Sequence, residues 1–194
     1  MGIKVQPLAS GSLAGVLEIT PERFGDDRGY FIETYNKASL RDHAIELDFV
    51  QDNQSMSRDM GTVRGLHFQT PPFAQAKLIR VLKGAIFDVA VDIRKGSPSF
   101  GQHVCCELTA EQGNQLFIPE GFAHGFCTLR PDTEVFYKVS AGYAPANDKG
   151  ILWSDPVLGI SWPVDPADAI LSDKDKRQPA LADYQDDFVY QTAS

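Results

Sequence analysis

Two of the four histidines lie in glycine-bounded blocks with matching spacing. The first block runs from Gly61 through five residues to His67. The second runs from Gly113 through five residues to Pro119, and His124 follows. Imidazole titrates near neutral pH, so a histidine can take up or return a proton, and it is also a common metal ligand. The two blocks therefore indicate either acid–base chemistry or a metal site.

The paired blocks resemble the two motifs of the cupin barrels, which implies a jelly roll with both histidines directed into its mouth. Metal-binding cupins add a second histidine two residues after the first and then a glutamate. This sequence has Gln69 and Lys77 at those positions. A charged lysine offers no lone pair and repels a divalent ion. We therefore expect a barrel without a metal or another cofactor, in which Lys77 supplies the positive charge.

A wider resemblance covers most of the chain, from Phe24 to Pro179. Over a series of stretches in the same order, the sequence is similar to the dTDP-4-dehydrorhamnose 3,5-epimerases. These stretches are residues 24–33, 51–55, 63–69, 77–80, 88–94, 118–126, 137–138 and 171–175. The resemblance implies an isomerase that inverts C3 and C5 of dTDP-4-dehydro-6-deoxy-D-glucose, giving the L-rhamnose precursor for cell-surface polysaccharides.

The resemblance also implies a role for each matching catalytic residue. His67 is the base, and Asp175 orients it and favours its charged form. Tyr137 is the acid on the other side of the sugar, and Lys77 faces the carbonyl oxygen. These residue types suit the chemistry, because removing a proton next to a ketone leaves negative charge on oxygen as an enolate. A positioned acid or base contributes ~10²–10⁴ in rate. A preorganised donor at the oxygen contributes ~3–4 kcal/mol.

A second group of residues is implied to bind the substrate. The implied roles are diphosphate ligands (Arg28, Arg64), nucleotide contacts (Glu33, Gln51, Asn53), a stacking platform (Tyr143) and further substrate contacts (His124, Lys174). Asp148 stands where the family has Glu, and this shorter carboxylate is the one visible departure. The resemblance further implies a homodimer with exchanged N-terminal strands, so that Arg28 and Glu33 complete the neighbour's site.

The overall charge restricts the possible partners. The formal net charge is −8, whereas nonspecific nucleic-acid binding needs a basic surface. A local cluster of Arg28, Arg64 and Lys174 would still hold a diphosphate, because arginine pairs with phosphate oxygens bidentately. The sequence contains no dinucleotide-binding or P-loop glycine motif.

Short alternating apolar runs between frequent turn residues favour an all-β fold. Alternation places Lys77 with Ile79 and Val81 on one strand face, and it places Tyr137 with Val135 on an inward face. Without repeats or linkers, we expect one cupin-like domain over residues 1–194.

Helical pattern is scarce and predicts only a few short peripheral helices. One is expected to be capped by Asn36 and to extend through Ile45, and another is expected near 179–184. The polar segment 166–179 is open to two interpretations: a solvated loop, or a flap over a site.

The cysteines and the N-terminus bear on location. An odd count of three, with Cys105 and Cys106 adjacent, argues against a disulfide framework, and we expect three buried thiols. No apolar run approaches the ~20 residues of a membrane helix, and the N-terminus lacks a signal-peptide pattern. A cytoplasmic protein without membrane association is the expectation.

Three alternatives remain open at this point. A sister enzyme would invert only C3 or only C5 with the same residue types. A non-enzymatic cupin would bind a nucleotide sugar without exchanging its protons. A metal cupin, either an oxygenase or an isomerase, would purify with near-stoichiometric metal.

Overall fold

The computed structural model describes residues 2–184 and 188–191. The strands are β1 (Ile3–Pro7), β2 (Leu17–Pro21), β3 (Arg23–Asp26), β4 (Gly29–Ile32), β5 (Gln51–Ser57), β6 (Val63–Gln69), β7 (Lys77–Lys83), β8 (Ala85–Asp92), β9 (His103–Thr109), β10 (Gln115–Ile118), β11 (Phe122–Thr128), β12 (Thr133–Val139) and β13 (Asp148–Gly150). The helical elements are α1 (Lys37–Arg41) and the 3₁₀ turns Gly11–Leu13, Asp175–Arg177 and Leu181–Asp183.

The strands form two antiparallel sheets that face each other. One sheet has the order β1-β2-β10-β7-β12-β5 and the other has the order β13-β6-β11-β8-β9, while β3 and β4 pair as a separate hairpin. Apolar side chains from both sheets meet between them, among them Ile79 and Val135 from the first and Ile86, Leu108 and Phe126 from the second. This arrangement confirms the predicted all-β, cupin-type jelly roll with few helices.

Parts of the outer faces of both sheets are also covered. Val89 and Val91 of β8 pack outward under the C-terminal segment, which contributes Ile151 and Leu181. The opposite face of β8 points into the barrel, so Asp88 lies in the interior. Both faces of β8 are therefore buried. The alternating apolar residues that include Val89 and Val91 face the outer core, and the polar residues between them face the inner core.

The α1 helix is shorter than the sequence predicts. Asn36 caps it as expected, since its side-chain oxygen accepts hydrogen bonds from the amides of Ala38 and Ser39. Ala44 has a φ of 60°, which ends the helical path before Ile45. Ile45 is nevertheless buried in a cluster beneath the first sheet. The second predicted helix is a single 3₁₀ turn, Leu181–Asp183.

The cysteines lie in three different environments. Cys127 is buried, Cys106 is half-buried against the interior core, and Cys105 is exposed on the edge strand β9. The expectation of three buried thiols is therefore correct for Cys127 only. It is wrong for Cys105, because neighbours on a strand point to opposite faces, and Cys106 is only half-buried. Among the described residues, no helix has the length and apolarity needed to cross a membrane.

Candidate active site

A pocket opens between the two sheets and gathers most of the predicted site residues. Its lining residues are Gln51, Asn53, Ser55, Arg64, His67, Phe68, Gln69, Gln75, Lys77, His124, Phe126, Tyr137, Tyr143, Asp148, Ser172, Lys174 and Asp175. Of the predicted catalytic and substrate-binding residues, only Arg28 and Glu33 do not line it.

A bulge in β6 brings Arg64 and His67 to the same pocket. His67 pairs with His124 and Arg64 pairs with Phe126, so β6 advances three residues while β11 advances two. Strict alternation would have placed Arg64 and His67 on opposite faces. The close approach requires glycine, because a Cβ on Gly65 would lie 2.4 Å from the Cα of Gly125.

His67 is paired with a carboxylate from a distant segment. Its Nε2 lies 2.5 Å from Oδ1 of Asp175, which is buried, whereas the His67 side chain is 31% exposed. Ser172 donates to the other carboxylate oxygen of Asp175 at 2.8 Å. Burial alone would raise the pKa of Asp175, but the hydrogen bonds and charge of its neighbours, His67 foremost, hold it below its usual value. The carboxylate therefore stays ionised beside the imidazole.

The segment that supplies Asp175 is the polar stretch 166–179. Ser172, Lys174 and Asp175 line the pocket, and Asp175 begins a 3₁₀ turn. Of its two sequence interpretations, the one that puts this segment at a site fits the structure. A solvated loop would not bury the Asp175 side chain.

Lys77 enters the pocket from the opposite sheet. It is buried, and its Nζ donates to the backbone oxygen of His67 at 3.2 Å. Burial lowers the pKa of Lys77 to about 8, although the charges of Asp88 and Asp148 oppose the shift. The inward position predicted from strand alternation is correct. Among the described residues, no group of three or more His, Cys, Asp or Glu side chains is placed to hold a metal ion.

His124 forms a second histidine–aspartate pair. Its Nε2 lies 2.6 Å from Oδ1 of Asp88, and both side chains are buried. Burial lowers the pKa of His124, against the charge and hydrogen bond of Asp88. Sequence reasoning gave Asp88 no role, although its place on a polar position of an otherwise apolar strand was visible.

Tyr137 faces the pocket from β12. Its strand pairs with β7, which carries Lys77, whereas His67 belongs to the other sheet. Burial raises the pKa of the Tyr137 hydroxyl, so it remains protonated at neutral pH. A ligand between the sheets would therefore have an imidazole on one side and a phenol on the other.

Polar residues surround the pocket mouth. Asp148 Oδ2 accepts from the Tyr143 hydroxyl at 3.1 Å and from Nζ of Lys174 at 2.5 Å. Arg64 is anchored by Ser57 Oγ at 3.1 Å and the Met56 carbonyl at 3.2 Å. Two cationic groups thus stand at the entrance of an otherwise acidic protein.

Arg28 and Glu33 lie away from this pocket. Arg28 is in the turn of the β3–β4 hairpin, where its side chain is 90% exposed and pairs with Asp26 at 2.5 Å. Glu33 follows β4 and accepts a hydrogen bond from Asn36. Their predicted place in a neighbour's site remains a prediction. The structure also adds pocket residues that sequence reasoning gave no role at the site, notably Gln69, Gln75 and Ser172.

Comparisons with known proteins agree on one family. The sequence profile described as dTDP-4-dehydrorhamnose 3,5-epimerase matches residues 10–183. A protein of that name from Sinorhizobium fredii is 50% identical over 179 residues, which is 92% of this chain and 91% of the relative.

Solved structures show the same relationship. The enzyme of that name from Bacillus anthracis, with TDP and PPi bound, is 49% identical with a TM-score of 0.87, over 92% of this chain and 99% of that one. A dTDP-6-deoxy-D-glucose-3,5-epimerase from Legionella pneumophila, in complex with dTDP-4-keto-L-rhamnose, is 38% identical with a TM-score of 0.91, over 98% and 100% of the two chains.

Proposed function

This chain belongs to the dTDP-4-dehydrorhamnose 3,5-epimerase family, and we propose that its His67 pocket carries out the family's reaction. The chain is an isomerase that converts dTDP-4-dehydro-6-deoxy-D-glucose to dTDP-4-dehydro-L-rhamnose. The observation that carries the proposed site is the arrangement of three groups. His67 and Tyr137 stand on opposite sheets, with buried Lys77 beside them.

In the proposed first step, His67 removes the proton from a carbon next to the 4-keto group. The step requires a neutral imidazole, and the ionised Asp175 stabilises the imidazolium that forms. The hydrogen bond of 2.5 Å between them also fixes the ring orientation. The electron pair of the C–H bond moves into the enolate and leaves negative charge on the former keto oxygen.

Lys77 is the proposed partner of that oxygen. Its ammonium group is buried and, among the residues that the structure describes, its hydrogen bond goes to the His67 carbonyl and not to a carboxylate, so its charge is available to a developing enolate. In such an environment the interaction is stronger than in water.

Tyr137 is the proposed acid that completes the inversion. Returning a proton from the side opposite His67 reverses the configuration of the carbon, and the enolate collapses back to the ketone. The raised pKa of Tyr137 keeps its proton available. His67 then releases its proton to solvent and Tyr137 takes one up, and the same steps at the second carbon give the doubly inverted product.

The remaining pocket residues suit a nucleoside diphosphate. Arg64 and Lys174 supply positive charge for the diphosphate at the mouth. Tyr143, which is 61% exposed, offers a ring face for the base. Gln51 and Asn53, joined by a 2.8 Å hydrogen bond, provide polar contacts nearby. His124 and Asp148 contact the substrate in this proposal.

We further propose a homodimer in which Arg28 and Glu33 complete the neighbour's site. Three observations support it: Tyr30 and Phe31 are exposed on the β3–β4 hairpin, β5 is an edge strand, and the hairpin lies outside both sheets. A cytoplasmic location is also proposed, and the three unpaired cysteines suit a reducing compartment.

Solvent-exchange NMR tests the function. The dTDP-4-keto sugar is incubated with the chain in deuterated water, alone and with a coupled 4-keto reductase. We expect deuterium at both C3 and C5 and a dTDP-L-rhamnose product. Label at one carbon only would identify a single-carbon epimerase, and binding without exchange would identify a non-enzymatic cupin. Near-stoichiometric metal in the purified chain would overturn the role of Lys77.

A further inference from the structure

Tyr143 lies in a segment held by glutamine side chains. Residues 140–147 connect β12 to β13, and we call them the platform segment. Gln75 Nε2 donates to the Ala141 carbonyl at 2.7 Å, and Gln51 Oε1 accepts from the Tyr143 amide at 3.1 Å. Gln69 binds the segment twice, at Gly142 and at Ala144.

Gln69 uses the full hydrogen-bonding capacity of its amide nitrogen. Its Nε2 donates to the Gly142 carbonyl at 3.1 Å and to the Phe73 carbonyl at 2.8 Å, and its Oε1 accepts from the Ala144 amide at 2.8 Å. The side chain is buried. It therefore binds the residues on both sides of Tyr143 and, in addition, the loop before β7.

The Tyr143 ring has little else to hold it. The residue is 61% exposed, and its hydroxyl donates a hydrogen bond to Asp148. The position of the ring therefore depends mainly on the backbone of the platform segment. Backbone hydrogen bonds hold the two ends of the segment, from Ser140 to Ala76 and from Thr70 to Asn147, whereas glutamine side chains hold the residues around Tyr143.

Gln69 also belongs to the strand that carries His67, two residues further along β6. A metal-binding cupin has its second histidine ligand at this position. Here the amide is committed to backbone groups instead. Gln69 thus links the segment that bears the exposed ring directly to the strand that bears the base.

We propose that Gln69 is a positioning residue for the nucleotide end of the substrate. It fixes the Tyr143 ring in place, so that the base of the nucleotide meets a preformed stacking surface. This inference rests on the proposed function, in which Tyr143 stacks against the base. It predicts that the affinity for the nucleotide depends on Gln69, while the affinity for the diphosphate alone does not.

Matched variants separate positioning from mere stability. Asn114 is a buried amide outside the pocket with the same count of bonds. It accepts from the Thr109 amide and donates to Glu18 and to the Glu107 carbonyl. Gln69→Ala and Asn114→Ala therefore remove comparable hydrogen bonds, and both should lower the melting temperature.

Calorimetric titration with dTDP and with inorganic pyrophosphate gives the readout. We expect Gln69→Ala to weaken dTDP binding about tenfold, because a displaced ring loses part of the stacking free energy. Pyrophosphate binding should stay within about twofold of wild type, and Asn114→Ala should change neither affinity. In turnover assays, Gln69→Ala should raise KM with little change in kcat.

A double variant makes the test specific. In a Tyr143→Ala background, Gln69→Ala should weaken dTDP binding no further, because the ring that it positions is gone. Unchanged dTDP affinity in Gln69→Ala, equal losses for dTDP and pyrophosphate, or additive losses with Tyr143→Ala would each overturn the inference. Failure of the proposed function would show differently, as absence of proton exchange in the wild-type chain.

Discussion

Two histidine–aspartate pairs place their histidines at the pocket, and their hydrogen bonds are nearly equal in length although their surroundings differ. His67 and Asp175 are 2.5 Å apart, and His124 and Asp88 are 2.6 Å apart. The His67 side chain is 31% exposed, whereas that of His124 is 8% exposed. The length of the hydrogen bond therefore does not distinguish a catalytic base from a histidine that only holds a fixed position. The solvent exposure of the histidine does.

The two aspartates also differ in origin and in bonding. Asp175 comes from a 3₁₀ turn after a long loop, and both of its carboxylate oxygens have hydrogen-bond partners. Asp88 comes from the centre of β8, and its Oδ2 is buried without a partner among the described residues. A buried oxygen without a hydrogen-bond partner raises the free-energy cost of a charged His124–Asp88 pair. His67 is thus the better placed to gain and lose a proton, and His124 to hold a fixed orientation.

Replacing the two histidines by glutamine tests this difference most strongly. Glutamine keeps an amide donor for the neighbouring aspartate but cannot take up a proton. We expect His67→Gln to reduce proton exchange at both carbons by about 10³-fold, within the usual range for a lost acid–base group. His124→Gln should cost only about tenfold, the effect of a weakened substrate contact.

Deuterium incorporation followed by NMR measures both rates, and dTDP titration shows whether each variant still binds. The His67 variant should bind dTDP within about twofold of wild type, since its side chain faces the sugar. A larger loss of exchange in the His124 variant than in the His67 variant would reverse the assignment of the base.

The aspartates should rank in the same order, with smaller effects. Asp175→Asn removes the charge that stabilises imidazolium and allows the wrong tautomer, so kcat should fall about 10²-fold. Asp88→Asn should lower kcat by less than about tenfold, because His124 does not change charge in the reaction. Steady-state turnover with the coupled reductase measures both. Equal losses would mean that the two pairs act as one unit.

The pH dependence gives the smallest effect and connects the two pairs. Burial lowers the pKa of Lys77 to about 8, and Asp88 is the main opposing charge. Because the enolate needs the protonated ammonium, kcat/KM should decrease as the pH rises through about 8.

Removing the Asp88 charge should lower the pKa of Lys77 further, so Asp88→Asn should move this alkaline limb to lower pH. Lys77→Arg serves as the control, since a guanidinium remains charged and the limb should disappear from this range. An alkaline limb that stays in place in both variants would show that Lys77 does not control it.

Local patterns in the sequence were sufficient for much of the fold. Alternation placed Lys77 and Ile79 on an inward face, and the Asn36 cap was correct. The helix end was missed because the positive φ of Ala44 is rare for alanine and leaves no sign in the sequence. Exposed Cys105 was missed because burial statistics for cysteine ignore the edge position of β9.

The site depended more on the resemblance than on local pattern. Asp175 is 108 residues from His67, and no periodicity connects them. A bulge turns Arg64 toward the pocket. It interrupts the strand alternation from which the face of Arg64 would otherwise be predicted. Gln69 was read only as a missing metal ligand, since hydrogen bonds to a loop more than 70 residues away have no sequence signature.

The central claim is that His67 and Tyr137 act from opposite sides of one enolate, and Tyr137→Phe in deuterated water tests it most directly. Without the phenol, His67 should still remove protons and return deuterium from its own side. Deuterium should then enter the starting epimer with its configuration retained, at a rate within about tenfold of the wild-type exchange rate. The rate of formation of the inverted product should fall about 10²-fold. If exchange and inversion instead decrease by the same factor, the two groups do not act on opposite faces and the account is wrong.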